Sequence, residues 1–331
     1  MASFTQNPQR QLLMPMALLQ IAKILGLAKP ALRRKGRKMF GKEKMPTAFE
    51  HYEPTDKDVF AAVYTKSGTN WLLQVAQQAA WHGEAEFAHI HDVVTWPDVP
   101  LSGIIPFGDS SITDNSPEGF RVIKTSAYAR FIPYSEQAKY ISIIRDPKEI
   151  FVSAYHFVFG VLGLRKYINV EDWLKLFLAS DCFMGSWAIH TADIWAWRDR
   201  PNVLVFTFSE MKQNQEEFTR RIVQHLGVSL NDEQFVKVLL RSSFKYMKQH
   251  NQQFAPPKLP FVRQTPVMIR NGKTSNTSEL LTREQQATID KYFIAELKRL
   301  GSDFPYEQMF TVVRYIAFST NTVQCGGVVA N

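Results

Sequence analysis

From Asp58 onward the chain alternates short apolar runs with amphipathic stretches. Four runs read as buried strands: VFAAVYT (Val59–Thr65), FRVIKTS (Phe120–Ser126), KYISIIR (Lys139–Arg145) and NVLVFTF (Asn202–Phe208). Each is too short for a stable helix and rich in β-branched and aromatic residues. The spacing predicts helices over Asn70–Trp81, from Pro147 onward, and over about Gln215–Leu226. Strand–helix alternation of this kind predicts an α/β, P-loop-like single domain, a mostly parallel central sheet flanked by helices. With no internal repeat and no low-complexity linker, the expected division is an arm over 1–44, one domain over 45–310 and a tail over 311–331. The tail, TVVRYIAFSTNTVQCGGVVAN, has little helical period and is either loose or an extended segment laid on the body.

Within the arm, Leu18, Ile21, Ala22, Leu25 and Ala28 fall on one helical face, which Pro30 is expected to end. The apolar stretch Leu12–Ala28 is interrupted by Gln20 and Lys23, too short and polar to span a bilayer comfortably. Its basic cluster follows the apolar run, the reverse of a signal peptide. Packing on the body is the expected role, with peripheral membrane contact through 12–44 left open.

Composition adds little until charge is located. The 331 residues are 45% hydrophobic and 21% charged, ordinary for a globular protein, with a formal net charge of +8. Residues 1–44 hold ten basic side chains against Glu43 alone, so the remainder sums to −1. The basicity belongs to the arm, and a nucleic-acid partner is not expected. Cys182 and Cys325 form no disulfide framework and no zinc spacing, which favours a cytoplasmic location.

Three segments carry candidate chemistry. Thr65-Lys66-Ser67-Gly68-Thr69-Asn70-Trp71 lies between a strand and a helix, where Gly68 permits a tight turn that converges backbone N–H groups on an anion. Ser67, Thr69 and Asn70 add donors and Lys66 a mobile charge. It is not the common nucleotide loop, because G-x-x-x-x-G-K-[ST] is absent. In Arg145-Asp146-Pro147-Lys148-Glu149, the Asp, Pro and Glu suit a helix start and capping box. Arg145 is left over, at the carboxyl end of a strand, where open sheets place ligands, with Ser153 two turns on. Met268-Ile269-Arg270-Asn271-Gly272-Lys273 is a basic loop, weak evidence alone.

Together these segments resemble the cytosolic sulfotransferases. TKSGTNW is similar to their PKSGTTW loop, KYISIIRDPKEIFVSAYHF to their strand–helix element, and IRNGK to their C-terminal RKG loop. GSW (Gly185–Trp187), FSEMK (Phe208–Lys212) and SSFKYMK (Ser242–Lys248) fall in the family's order, and the match runs from about 45 to 300. The resemblance implies use of 3′-phosphoadenosine 5′-phosphosulfate (PAPS), with adenosine 3′,5′-bisphosphate (PAP) as product and no metal. It implies Lys66 to Trp71 on the 5′ side, with Arg145 and Ser153 on the 3′-phosphate. Met268, Ile269, Arg270, Asn271 and Gly272 would close from the last loop. Phe208, Ser242, Ser243, Phe244 and Met247 would surround adenine and ribose, with Trp71 stacking on the base. Phe208 stands where tyrosine is usual, Asn271 where lysine is, and Ser275 where a second glycine is.

The resemblance makes Lys66 and Lys124 catalytic. Lys66 would stabilise charge on the leaving phosphate, and Lys124 would meet the transferring group. A histidine normally follows the second lysine by two residues as base; here that position is Ser126. Three readings stay open. The base comes from elsewhere, Asp109 or the His89-Ile90-His91-Asp92 cluster; the acceptor is an amine, an amide or an acidic hydroxyl; or the protein binds the nucleotide without turnover. His89 and His91 at alternate positions have no evident third metal ligand. Trp195 and Trp197 read as packing residues and His156 as structural. The acceptor is a small molecule of unread identity. The family's pairing segment K-x-x-x-T-V-x-x-x-E keeps only Thr282, leaving the oligomeric state open.

Overall fold

The structure, a computed structural model, describes residues 21–22, 25–40, 45–98, 105–161, 163–256, 267–270 and 276–314. Four strands, β1 (Asp58–Ala62), β2 (Arg121–Thr125), β3 (Lys139–Ile144) and β4 (Val203–Thr207), form one parallel sheet in the order β2-β1-β3-β4. Register pairs Val59 with Val122 and Lys139, and Ile144 with Thr207. β1 ends at Ala62, short of its apolar run to Thr65, and each of the other strands stops at the residue before the end of its run. One further parallel bridge, Thr95 to Ile123, extends the sheet beyond β2.

The longer helices are α1 (Ala28–Phe40), α2 (Thr69–Ala80), α3 (Pro147–Val161), α4 (Val170–Phe177), α5 (Trp187–Trp195), α6 (Gln215–Leu226), α7 (Asp232–Arg241) and α8 (Arg283–Arg299). Strand alternation divides the interior in two. Phe60, Ala62 and Tyr64 face an aromatic core with Phe151, Trp173, Trp187 and Phe293. Val59, Ala61 and Val63 face a second core with Leu72, Val75, Phe206 and Ile222. Trp195 and Trp197 pack as expected, against Phe304 (5.1 Å) and Tyr134 (5.3 Å).

Pro30 opens a helix where the sequence suggested it would close one. It sits in the first turn of α1, where its missing N–H costs nothing. Ala28 and Leu32 are buried in the aromatic core, Lys29 pairs with Asp172, and Arg33 Nε reaches Asp181 at 3.1 Å. The start of the basic arm therefore packs on the body, while Ile21 and Leu25 are exposed. Leu18 and the rest of the 12–20 stretch lie outside the described residues. At the other end, Val313 N–H donates to Asp290 (2.8 Å), so the first residues after 310 are laid on the body. Among the described residues no helix is long and apolar enough to cross a membrane.

All four strands point the same way, so their carboxyl ends share one edge. β1 leads to its neighbour β2 on one side, and β3 to β4 on the other. The crevice between the loops after β1 and β3 is therefore a topological switch point, where such sheets bind ligands.

Candidate active site at the carboxyl edge of the sheet

The loop after β1 is built on two left-handed residues, Lys66 (φ 70°) and Gly68 (φ 108°). A Cβ on Gly68 would come within 3.1 Å of the Phe208 ring and Met211 Cε, so both backbone and close approach require glycine. Helix α2 starts directly after it with no side-chain cap. Elsewhere Asn169, Ser186, Thr207, Asn214, Asn231, Ser243 and Thr282 each accept a first-turn amide of the helix they precede. Trp71 N and Leu72 N both donate to Gly68 O, the Thr69 and Asn70 amides that lead α2 have no side-chain cap, and Ser67 Oγ is buried without a hydrogen-bond partner. Asn70, expected as a donor to an anion, gives an amide hydrogen to Phe254 O (3.2 Å) instead.

Arg145 crosses from the end of β3 to this loop. Its Nη1 donates to Lys66 O (2.9 Å), its Nε to Glu149 Oε2 (2.9 Å), and its guanidinium lies 4.0 Å from the Phe208 ring centroid. Glu149, which the sequence placed in a capping box, thus holds the arginine fork, while Asp146 accepts the Lys148 amide (2.8 Å). The phenylalanine that replaces the usual tyrosine becomes the face on which Arg145 rests. Ser153 is half-buried on α3. Arg270 donates to Glu279 Oε1 (2.7 Å), the same oxygen that lies 2.6 Å from His156 Nε2. Burial pushes the Arg145 pKa down, and the Arg270 charge adds to that, so the two arginines share one neighbourhood. Asn271, Gly272, Lys273 and Ser275 lie outside the described residues.

Of the residues expected around adenine, three meet at the second core. Met247 is buried there, and Trp71, Phe208, Met268 and Ile269 pack against it. The Trp71 ring lies 6.2 Å from Phe218, and its Nε1 is buried without a partner. Ser242 turns its hydroxyl back to Val238 O (2.6 Å), which removes it as a ligand donor. Ser243 caps the short helix Phe244–Gln249 through the Tyr246 amide. Asn251, which no motif singled out, accepts the amides of Met268 (2.9 Å) and Ile269 (3.1 Å) and so docks the last loop.

Lys66 connects the parts. Its Nζ lies 3.4 Å from Met268 Sδ and 3.7 Å from the Phe157 ring centroid. Burial, with Arg145 and Lys124 nearby, brings its pKa down to about 7. Burial likewise lowers Lys124 to about 7, against the opposing charge of Asp98. Lys124 Nζ donates to His91 Nε2 (2.9 Å) and sits 3.4 Å above the Trp96 ring.

Beside Lys124 is a carboxylate that sequence reasoning missed. Asp98 accepts Thr125 Oγ1 (2.7 Å), Ser126 N (2.5 Å) and Ser126 Oγ (3.1 Å). Nothing in Trp96-Pro97-Asp98 announces it; only the Thr95 bridge brings it to the end of β2.

The bases suggested by sequence fare differently. Asp109 accepts the Ser111 amide (3.0 Å), and the nearby charge on it is Arg121, the first residue of β2. In the same loop, Phe107 stacks 3.8 Å from Tyr52, whose hydroxyl donates to Asp58, the first residue of β1. Asp109 therefore lies at the amino edge, away from Ser126. His89 Nε2 donates to Ala255 O (3.1 Å) while its Nδ1 accepts the His91 amide (3.2 Å). Burial lowers both histidine pKa values, keeping the rings neutral. Among the described residues no three His, Cys, Asp or Glu side chains group to hold a metal.

The edge thus offers an uncapped helix N-terminus, two arginines held by carboxylates, and two lysines only partly charged near neutrality. That equipment receives a polyanion with two separate charged ends.

Comparison with known proteins agrees on the same stretch of chain. A family model described as a sulfotransferase domain matches residues 56–301. Sulfotransferase 2A1 of Macaca fascicularis is 27% identical over 273 residues, covering 81% of this chain and 94% of that protein. The 3-beta-hydroxysteroid sulfotransferase of Cavia porcellus is 26% identical over 276 residues, covering 81% and 94%. A crystal structure of retinol dehydratase with androsterone and the inactive cofactor PAP superposes with a TM-score of 0.66 at 18% identity, covering 80% of this chain and 87% of that one.

Proposed function

This chain belongs to the sulfotransferase family, and from that premise we propose that it transfers the sulfuryl group of PAPS to a hydroxyl of a small-molecule acceptor. The observation that carries the nucleotide assignment is the uncapped start of α2 with the partnerless Ser67 hydroxyl beside it. These unpartnered donors fit the 5′ end of the nucleotide. Arg145 and Arg270 fit its 3′-phosphate, with Ser153 farther along α3 and Asn271 and Gly272 next in sequence after Arg270. Trp71, Phe208 and Met247 fit an adenine, an assignment supported by their common core, and Phe244 opens the short helix that carries Met247. The names of the hydroxysteroid sulfotransferase and of the androsterone complex favour an apolar alcohol as acceptor.

When bound, PAPS supplies an activated sulfuryl group whose departing phosphate gathers charge under in-line attack. Lys66 answers that charge at the bridging side, and its depressed pKa makes it responsive to an arriving anion. Arg145 ties the Lys66 carbonyl to the 3′-phosphate pocket, so that occupancy of one end braces the other. Lys124 holds the acceptor side of the site positive.

The first test is thermal shift with PAP, using ATP and AMP as controls. Binding to the folded state raises the melting temperature by mass action, by RT ln(1 + [L]/Kd) in free energy. The expected result is a clear shift with PAP and a small one with either control. A larger shift with ATP overturns the assignment.

PAP affinity carries a pH signature. With Lys66 and Lys124 near 7 in the free site, binding above neutrality takes up protons, since the anion favours the charged amines. Between about pH 7.5 and 9 the PAP affinity falls by up to about tenfold per pH unit for each lysine concerned. Calorimetry in buffers of different ionisation enthalpy reads the proton uptake directly. Lys66→Arg, whose guanidinium stays charged, flattens the profile; a pH-independent Kd in the wild type contradicts the depressed lysines.

A further inference from the structure

The site described above holds a transferring-group lysine and a nucleotide pocket, yet the position of the family's base is a serine. A serine hydroxyl is no base near neutral pH, because its own proton is far too tightly held. What changes its chemistry here is Asp98. Oδ2 of Asp98 takes both the amide and the hydroxyl hydrogen of Ser126, while Oδ1 takes the Thr125 hydroxyl hydrogen. With its proton committed to Asp98, Ser126 Oγ has its lone pairs left to accept another. Ser126 is partly exposed at the carboxyl edge, two residues beyond Lys124.

We propose that Ser126 and Asp98 together form the proton acceptor of this enzyme. The acceptor hydroxyl passes its hydrogen to Ser126 Oγ as Ser126 passes its own to Asp98 Oδ2. In the same event the acceptor O–H bond breaks and its oxygen bonds to sulfur. The bond from sulfur to the nucleotide phosphate oxygen breaks, its electron pair leaving with PAP. The proton ends on Asp98 and returns to water after product release. Nothing is oxidised or reduced.

The surroundings suit the role. Burial raises the proton affinity of Asp98, while its bonds to Ser126 and Thr125 and the Lys124 charge moderate that rise. The groups that face it are Lys124 and Thr125 at the end of β2 and Ser126 just beyond, and behind Lys124 stands neutral His91. His91 Nε2 is taken by Lys124, His89 is fixed to Ala255, and Asp109 lies at the opposite edge. Asp98 is the carboxylate at this edge joined to the residue that replaces the usual base. In these terms Ser126 is the catalytic residue and Asp98 its positioning partner, acting through it.

The inference rests on hydroxyl transfer as proposed above, and its test separates the two. Steady-state rates are measured with PAPS and two acceptors, p-nitrophenol and an aliphatic 3-hydroxysteroid. The phenol is acidic enough to need little help; the alcohol depends on a base. Asp98→Asn and Ser126→Ala each lower kcat on the alcohol by about 100-fold, with KM changed by no more than about threefold. The loss on the phenol is at least about tenfold smaller. Ser126→His in the Asp98→Asn background restores the alcohol reaction to within about tenfold of wild type, because imidazole takes the proton itself. Equal losses on both acceptors, or failure of the histidine to rescue, overturn the relay in favour of a structural Asp98. A wild type that sulfates only the phenol has no working base and overturns it too. A protein that binds PAP but sulfates neither acceptor overturns the hydroxyl-transfer reading itself.

Discussion

Lys66→Ala lowers kcat by about 10²–10³-fold and leaves a folded protein that still takes up PAP through its arginines. In the proposed mechanism the lysine answers the charge that builds on the leaving phosphate, and an interaction made mainly in the transition state is lost from kcat more than from KM. The fold survives because this amine holds nothing together: its partners are a thioether and an aromatic face. Its burial is a cost. The folded pKa, about 7, lies below that of an unfolded lysine, so this group's contribution to stability is least favourable below pH 7. The handicap fades as pH rises toward about 10. Lys66→Met, which keeps the stem, therefore melts no lower than wild type near neutrality, and its advantage shrinks with rising pH. Circular dichroism melts at several pH values check the fold, and single-turnover transfer to p-nitrophenol checks the chemistry. Wild-type turnover in Lys66→Ala would remove the lysine from the mechanism.

Arg145→Ala weakens PAP by about 100-fold while AMP, which lacks the 3′-phosphate, loses less than about threefold. The arginine contributes a charge-assisted fork, and its removal also leaves Glu149 facing the phosphate with no cation between them. Arg145→Lys keeps charge but not the planar fork and falls between the two. The comparison of nucleotides matters because Arg145 also holds the Lys66 carbonyl. If its main role were to brace that loop, both nucleotides would weaken alike, and the 3′-phosphate assignment would fail. Isothermal titration with PAP and AMP on the three proteins decides it.

The strands, the α2 and α3 starts and the glycine turn after β1 were legible in sequence because each is encoded locally. Apolar runs of strand length, a proline in a first turn and a glycine at a left-handed position act within a few residues of themselves. The grouping of the sites after β1, β2, β3 and β4 also followed, since parallel strands bring all such loops to one edge. Tertiary structure decided what those loops touch. Pro30 fits the start of a helix as well as its end, and only the packing of Leu32 into the core chose. Glu149 could cap α3 or hold Arg145, and the long arginine reaching across the edge took it. Asp109 and the His89–Asp92 cluster were equivalent candidates on paper, and Asp98 was not among them. A single bridge at Thr95, with no strand pattern around it, carried Asp98 to Ser126, some 28 residues away along the chain. Contacts of that separation depend on register and chain path, quantities that no local pattern of residues contains.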